Sequence, residues 1–512
     1  MEATPGLRLG PGDIASAFRS AFPGRRLIIV SNREPYEHVW NDTRDEIEVR
    51  RPAGGLISAL DPLMQSLGGT WVAWGSGDAD ADSVDAGGRI RVPPEAGAYT
   101  LRRLWLSHQD VQQYYLGYSN QLLWPLCHLR TELARIRKSY VERYRAVNRR
   151  FAEAALEEAG EEPAAIWFHD YHLALAPAEL RARTQRHSLA HFWHIPFPPV
   201  EIFRIVPDGE TLLEGLVAND LVGFHLPLFC DNFLRCCEAV LGMQVDWESR
   251  CVHSADHVCW VRAHPISIDI QAFEELVKGR QQGTIARIRA RYARGGGRIG
   301  IGVDRIDYSK GLEEKLAALD RLWERNPEHR ERFTYVQVAV PSRTGIDAYD
   351  WLSETVERMV WSINDRYGTD DWRPIHLLKD TVPPERLALL YRAADICVVS
   401  SLQDGMNLVA KEYVASHGHD GDGVLLLSRF AGAVEELAGC LPVNPYDRED
   451  FATRIHEALT MPQEERQARM NQLRSSLRTI YDWMAETFEV WAAAAEGGVP
   501  QLADADRWSR TG

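Results

Sequence analysis

The sequence predicts an α/β protein built from two doubly wound parallel sheets, and three observations predict it. Short apolar runs recur at residues 27–30, 166–168 and 190–193, then at 299–303, 333–340, 396–399 and 424–427. Uninterrupted runs of this length are how strands buried on both faces read. Amphipathic stretches separate them, as in Leu312, Leu316, Leu319 and Leu322, and strand–helix alternation implies parallel strands with helices on both faces. The pattern then restarts: after Pro265-Ile266-Ser267-Ile268-Asp269 come a charged helical stretch, Gly295-Gly296-Gly297 and a fresh strand.

That restart puts a domain boundary near residue 270, and 512 residues are too many for one ordinary core. Residues 1–25 read as an N-terminal extension, 26–270 as a first Rossmann-like domain and 271–475 as a second. From 464 to 494 the pattern is one long helix, with Leu473, Leu477, Ile480, Met484, Phe488 and Trp491 on one face. Residues 496–512 read as a loose tail. In doubly wound sheets ligand loops sit at the carboxyl ends of strands, so binding motifs are sought there.

Composition narrows the function. With 58 Lys+Arg against 73 Asp+Glu the formal charge is −15, which argues against nucleic acid or an anionic membrane as a bulk partner. No secretory signal pattern opens the chain, and no run approaches the roughly 20 apolar residues of a membrane span. Eight cysteines are too sparse for a disulfide framework, so a reducing cytoplasmic compartment is expected.

Chemistry-bearing residues follow the strands. Asp304-Arg305-Ile306-Asp307-Tyr308-Ser309-Lys310-Gly311 follows the run ending at Val303. An Arg and a Lys five apart on a loop that opens a helix can bring two cations onto one diphosphate and stabilise charge growing on it. Alone, such a pair is more often a solvated ion-pair loop. Asp404-Gly405-Met406-Asn407-Leu408-Val409-Ala410-Lys411-Glu412 follows 396–399. Its glycine allows close backbone approach and its helix start offers N–H groups to an anion. Alone, it reads as Asp404 capping an exposed helix. Ser31-Asn32-Arg33, Gly54-Gly55-Leu56, His169-Asp170-Tyr171-His172 and His194-Ile195-Pro196-Phe197-Pro198 complete the set; the prolines would aim the His194 ring.

Taken in order, these segments resemble the trehalose-6-phosphate synthase family of retaining GT-B glycosyltransferases, over about residues 26–490. Tyr115, Ser119-Asn120, Leu123-Trp124-Pro125, Pro341-Ser342-Arg343 and Val443-Asn444-Pro445-Tyr446-Asp447 add to the match. The resemblance implies two Rossmann-like domains facing across a cleft, with 476–495 as a helix that crosses back to the first domain. It also implies glucosyl transfer from UDP-glucose, or another nucleotide-glucose, to glucose 6-phosphate. On the donor side, Arg305 and Lys310 would hold the diphosphate and Gly55 would close over it. Asp404, Gly405, Met406, Asn407, Leu408 and Val409 would contact the glucose, Glu412 the ribose, and the backbone near Val382 the base. His194 would hydrogen-bond the donor sugar near the reacting centre. On the acceptor side, Arg33 and Arg343 would grip the 6-phosphate, with Trp74, Tyr115, Trp124 and Asp170 shaping the sugar pocket. No nucleophile–acid pair of the glycosidase kind emerges; the family mechanism lets the departing phosphate take the acceptor proton. No cofactor and no obligatory metal are implied. Homo-oligomers are common in the family, and a separate phosphatase would act downstream.

Some positions depart from the family pattern. Gln403 replaces an Arg, Leu116 and Tyr118 alter the usual Tyr-Asn-Gly-Phe, and Ser267 replaces a glycine. Asn32-Arg33-Glu34-Pro35-Tyr36 and 70–74 also resemble glucosylglycerol-phosphate synthases, which use glycerol 3-phosphate. A catalytically silent sugar-phosphate sensor and a pseudo-glycosyltransferase joining cyclitols are the further alternatives. Asp78-Ala79-Asp80-Ala81-Asp82 reads as a solvated acidic loop rather than a metal or phosphatase motif. Cys251, His253, His257 and Cys259 could form a Cys2His2 set if a hairpin brought them to one face, but a plain hairpin is expected.

Overall fold

The computed structural model describes residues 9–52, 55–254, 257–278, 282–343, 345–418 and 421–498. The chain divides into two compact units, residues 1–266 with 479–512, and residues 267–478.

The first unit is built on a ten-stranded sheet. From one edge its order is Gln244–Asp246, Cys251–His253, Val258–Ala263, Leu221–Phe224, Ser188–Phe192, Ala164–His169, Arg26–Val30, Thr70–Trp74, Tyr99–Leu104 and Arg89–Val92. The seven strands from Val258–Ala263 to Tyr99–Leu104 are all parallel, and antiparallel pairings close the two edges. The expectation of a purely parallel sheet is thus corrected at both rims. The central strand Arg26–Val30 lies between Ala164–His169 and Thr70–Trp74. The chain winds outward on one side, then returns to the other, so the strand order reverses beside Arg26–Val30. Ligands of doubly wound sheets bind at such a reversal, and here the loops beginning at Ser31 and at Asp170 flank it.

The second unit holds a six-stranded sheet, all parallel, ordered Ile375–Leu378, Phe333–Val340, Arg298–Arg305, Ile396–Val399, Val424–Ser428 and Leu441–Val443. Its reversal falls between Arg298–Arg305 and Ile396–Val399, so the loops after Arg305 and after Val399 flank it. All seven apolar runs form strands, with ends shifted by at most a few residues.

The long helix expected over 464–494 is two helices, Gln463–Ser476 and Ile480–Ala495. Thr479 breaks it: its side chain accepts from the Asp482 amide while Asp482 accepts from the Thr479 amide, a reciprocal cap that starts a new helix. The second helix returns to the first unit, where Trp483 stacks on Trp167 at 5.2 Å between ring centroids and donates to the His264 carbonyl at 3.1 Å. The expected N-terminal extension contains the helix Pro11–Ala21, whose Phe18 meets Phe488, while Phe22 meets Trp491. It is part of the first unit's core. Most of the expected loose tail, 499–512, lies outside the described residues.

Asp78-Ala79-Asp80-Ala81-Asp82 corrects another expectation. Asp78 and Asp82 are exposed, but Asp80 is fully buried. It accepts from the amides of His38 and Gly77 at 2.7 Å each and pairs with buried Arg103 at 2.9 Å. Arg103 also donates to Glu34 at 2.7 Å. A carboxylate at alternate positions of an acidic turn reads as solvent-facing because burial of a charge shows only through its partner, and that partner, Arg103, lies some twenty residues downstream.

Candidate active site

In the second unit two loops meet across the strand reversal. Arg305 ends its strand and is exposed. The chain then turns through Tyr308–Lys310 to Gly311, which adopts φ +62° and starts the helix Leu312–Arg325. A Cβ at Gly311 would fall 2.1 Å from the Ser400 carbonyl oxygen, so glycine is what lets the two loops touch. The contact places the Lys310 Nζ 2.6 Å from Asp404 Oδ2. Asp404 further accepts from Ser401 Oγ at 3.0 Å and Asn407 Nδ2 at 3.1 Å. Lys310 and Asp404, nominated separately from two motifs 94 residues apart, form one ion pair.

Asn407, not Asp404, caps the following helix Leu408–Ser416, with φ +77° and its side chain accepting from the Ala410 amide at 3.3 Å. Leu408 and Val409 are the first two residues of this helix, whose first amides have no carbonyl partner within it. Gly405 and Met406 are buried. Glu412 is the fifth residue of this helix and half-buried rather than on an exposed face. Burial pushes its carboxyl up to about 7, against the hydrogen bond that Tyr391 donates at 3.0 Å. Val382 lies half-buried in the loop before the helix Pro384–Ala393.

Arg343 belongs to this unit too. Its φ is +48°, and its Nη1 donates to Asp307 and to the Tyr349 hydroxyl, both at 2.7 Å. Asp307 is fully buried and also accepts from the amide and hydroxyl of Ser309. Asp307 is a residue that sequence reasoning passed over. Its signal was its place between Arg305 and Lys310, a buried acid holding a third cation beside them.

The first unit gathers the other set around its own strand reversal. Arg33 is exposed three residues beyond Arg26–Val30. Glu34, pushed up to about 8 by burial and by neighbouring Asp80, is gripped by Arg103. Gly55 opens the helix Gly55–Leu67 and is exposed. Trp74 ends its strand and lies 5.6 Å from Tyr115 between ring centroids. Tyr115 stacks on His172 at 5.8 Å, His172 meets Tyr171 at 4.0 Å, and Tyr171 meets Trp124 at 5.8 Å. Three of the four residues expected to shape the sugar pocket thus stand in one aromatic chain, linked by His172 and Tyr171. Tyr115 rides on a π-helix, Val111–Leu123, a geometry common at functional sites.

The fourth, Asp170, has φ +71° and ψ 169°, a conformation costly for any residue but glycine. Its Oδ1 accepts from the amides of Tyr171 at 3.0 Å and His194 at 3.3 Å. His194 is half-buried, and its Nε2 lies 3.1 Å from His169 Nδ1. Burial and the neighbours His169, His225 and His191 hold its pKa well below the usual histidine range. His169, likewise held down by burial, is a second residue passed over, although its motif was singled out. Its Nδ1 is the ring nitrogen that faces His194 Nε2.

The hairpin expected at 251–259 is present, but the four-ligand set is not. Cys251 pairs with Trp260 and His253 with Val258, whereas Cys259 pairs with Val252. Directly paired residues share a face, so Cys259 points to the opposite face from Cys251 and His253. His257 instead meets the Val217 carbonyl at 2.7 Å.

Residues 25–492 match the model of Glycosyltransferase family 20. The chain is 38% identical over 473 residues to a trehalose-6-phosphate synthase of Mycolicibacterium gilvum, covering 91% of this chain and 92% of that one. Among solved structures it resembles a UDP-forming α,α-trehalose-phosphate synthase of Burkholderia xenovorans in complex with glucose 6-phosphate. There the TM-score is 0.79 and the identity 34%, over 90% of this chain and 98% of that one. A similar E. coli structure, bound with UDP-2-fluoro glucose, gives a TM-score of 0.79 and 32% identity over 93% and 99%.

Proposed function

Since the chain belongs to glycosyltransferase family 20, we propose that it transfers glucose from UDP-glucose to glucose 6-phosphate with retention, forming α,α-trehalose 6-phosphate and UDP. The observation that carries this reading is the Lys310–Asp404 ion pair at the strand reversal. It holds a cation for the diphosphate and a carboxylate for the sugar in one place.

The chemistry follows from charge. Bond breaking between glucose C1 and the diphosphate oxygen leaves negative charge on that oxygen, and Arg305 with Lys310 neutralises it. Lys310 turns from Asp404 toward the diphosphate, and Asp404 then accepts hydrogen bonds from the glucose hydroxyls. The anomeric oxygen of glucose 6-phosphate bonds to C1 on the face the diphosphate leaves, and its proton passes to the departing phosphate. No protein nucleophile is needed, and the two cations serve where a metal would. Catalysis is orientation plus charge stabilisation.

Glu412, as carboxylate, accepts from the ribose hydroxyls. The backbone beside Gly55 and at residues 405–409 follows the diphosphate and sugar, and that near Val382 borders the base. His194 stays neutral at physiological pH; with Nε2 turned to His169, its Nδ1 meets a donor-sugar hydroxyl. Arg33 and Arg343 bind the 6-phosphate, Arg because its planar fork suits phosphate bidentately. Trp74, Tyr115, Trp124 and Asp170 line the acceptor pocket.

Beyond the substrates, a separate phosphatase removing the 6-phosphate and self-association are proposed partners. Cytoplasmic residence is supported by eight cysteines, all unpaired and buried. Among the described residues no helix is long and apolar enough to cross a membrane. Incubation of purified protein with UDP-, GDP- or ADP-glucose against glucose 6-phosphate or glycerol 3-phosphate tests the reading. The mass of trehalose 6-phosphate from UDP-glucose and glucose 6-phosphate supports it. A glucosylglycerol phosphate product, or no transfer with any pair, rejects it.

A further inference from the structure

At the edge of the first unit's sheet, three short antiparallel strands bring together side chains that the transferase chemistry does not use. Gln244–Asp246 pairs with Cys251–His253 so that Asp246 stands directly opposite Cys251. Directly opposed residues share a face, and so do residues two apart on one strand. Asp246, Cys251 and His253 therefore project on one face by register alone. Their ligand atoms all lie within 4.8 Å of one another, and the Cys251 sulfur is 3.8 Å from His253 Nε2. Tetrahedral zinc, with bonds of about 2.3 Å to sulfur and 2.0 Å to nitrogen, separates two such ligands by roughly 3.6 Å.

We propose that Asp246, Cys251 and His253 form a zinc-binding site that pins the edge strand of the first unit's sheet. The donor set selects the metal: a thiolate, an imidazole and a carboxylate suit Zn2+ better than the oxygen-seeking Mg2+ or Ca2+. Asp246 is preset, because its Oδ1 already accepts from the Glu248 and Ser249 amides, both at 3.0 Å. Cys251 is buried and His253 exposed, so the metal sits at the rim with its fourth position open to water. Binding converts the Cys251 thiol to thiolate and releases one proton to solvent. Burial, then the Asp246 charge, holds that thiol up, while Arg262 favours the thiolate. Arg262 donates to the carbonyls of Ser249 at 2.9 Å and Arg250 at 3.1 Å.

The test is titration of the metal-free full-length protein with Zn2+ against a chromophoric chelator, and with Co2+ for its thiolate charge-transfer absorption. One equivalent of Zn2+ is expected, with affinity at least tenfold weaker in Cys251→Ser and in His253→Ala. The Co2+ band should vanish in Cys251→Ser. His253 is exposed, so its replacement leaves folding intact and keeps the comparison readable. His456→Ala removes one member of the separate surface group Glu328, His329 and His456, and should leave the Co2+ band unchanged. Absence of a thiolate band, or Zn2+ affinity unmoved by both first variants, overturns the proposal.

Discussion

Lys310 holds the sharpest test of catalysis at a single residue. Its role in stabilising charge on the leaving diphosphate predicts that Lys310→Ala lowers kcat by roughly 10²–10³. If only the KM for UDP-glucose rises, the residue contributes uniform binding and the assignment fails. Glu412 makes the second prediction at this scale. With its carboxyl at about 7, it is half protonated near neutrality, and the protonated form loses acceptor capacity for the ribose diol. The KM for UDP-glucose should therefore climb as pH falls from 8 to 6, and Glu412→Gln should flatten that dependence. Stability runs the other way. The native state binds this proton more tightly than the unfolded state does, so the contribution of Glu412 is lost as pH rises from 4.5 through about 7. Glu412→Gln should then gain roughly 1–3 kcal/mol at pH 8, read by denaturant unfolding. That Arg305, Lys310 and Asp404 are candidates for the site was legible from their motifs. That Lys310 and Asp404 pair with each other was not, because the contact spans two strands whose adjacency only the sheet order sets.

At the scale of elements, two local devices set the local course of the chain. The π-helix Val111–Leu123 presents Tyr115, and it is tied down one turn later by Tyr118, one of the departures from the family pattern. The Tyr118 hydroxyl donates to Asp208 at 2.6 Å while its ring stacks on Tyr144 at 4.0 Å. Tyr118→Phe removes the hydroxyl and leaves the buried Asp208 carboxylate short of a donor, at a cost of about 1–3 kcal/mol. It should also raise the KM for glucose 6-phosphate more than it lowers kcat. An unchanged KM would show that the tether does not position Tyr115. The departure at position 118 is therefore a substituted anchor, something the sequence could flag as different but not explain. The second device is the Thr479 cap. Apolar spacing carried straight through Leu477 and Ile480, so periodicity alone ran two helices together; the break lies in the Thr479–Asp482 pairing, a capping box with Asp in the acidic place. Thr479→Ala should cost about 1 kcal/mol of stability in thermal unfolding.

Across the whole molecule, the parallel interiors of both sheets were legible because strands buried on both faces must be apolar throughout. The edge hairpins and the buried Glu34–Arg103–Asp80 cluster were not, since short edge strands and paired charges carry no such signature. Both motif-bearing loop sets lie where their own sheet reverses strand order, one in each unit. That placement, together with family membership, is why a chain of net charge −15 reads as an enzyme for two anionic substrates: Arg33, Arg305, Lys310 and Arg343 stand at strand ends or in the loops that follow them. The proposal is that these loops carry out glucosyl transfer with retention. It is tested most directly by the NMR spectrum of the product formed from UDP-glucose and glucose 6-phosphate. Two α-anomeric signals are expected, those of α,α-trehalose 6-phosphate. A β-linked product, or glucose released to water with no disaccharide phosphate, would contradict it.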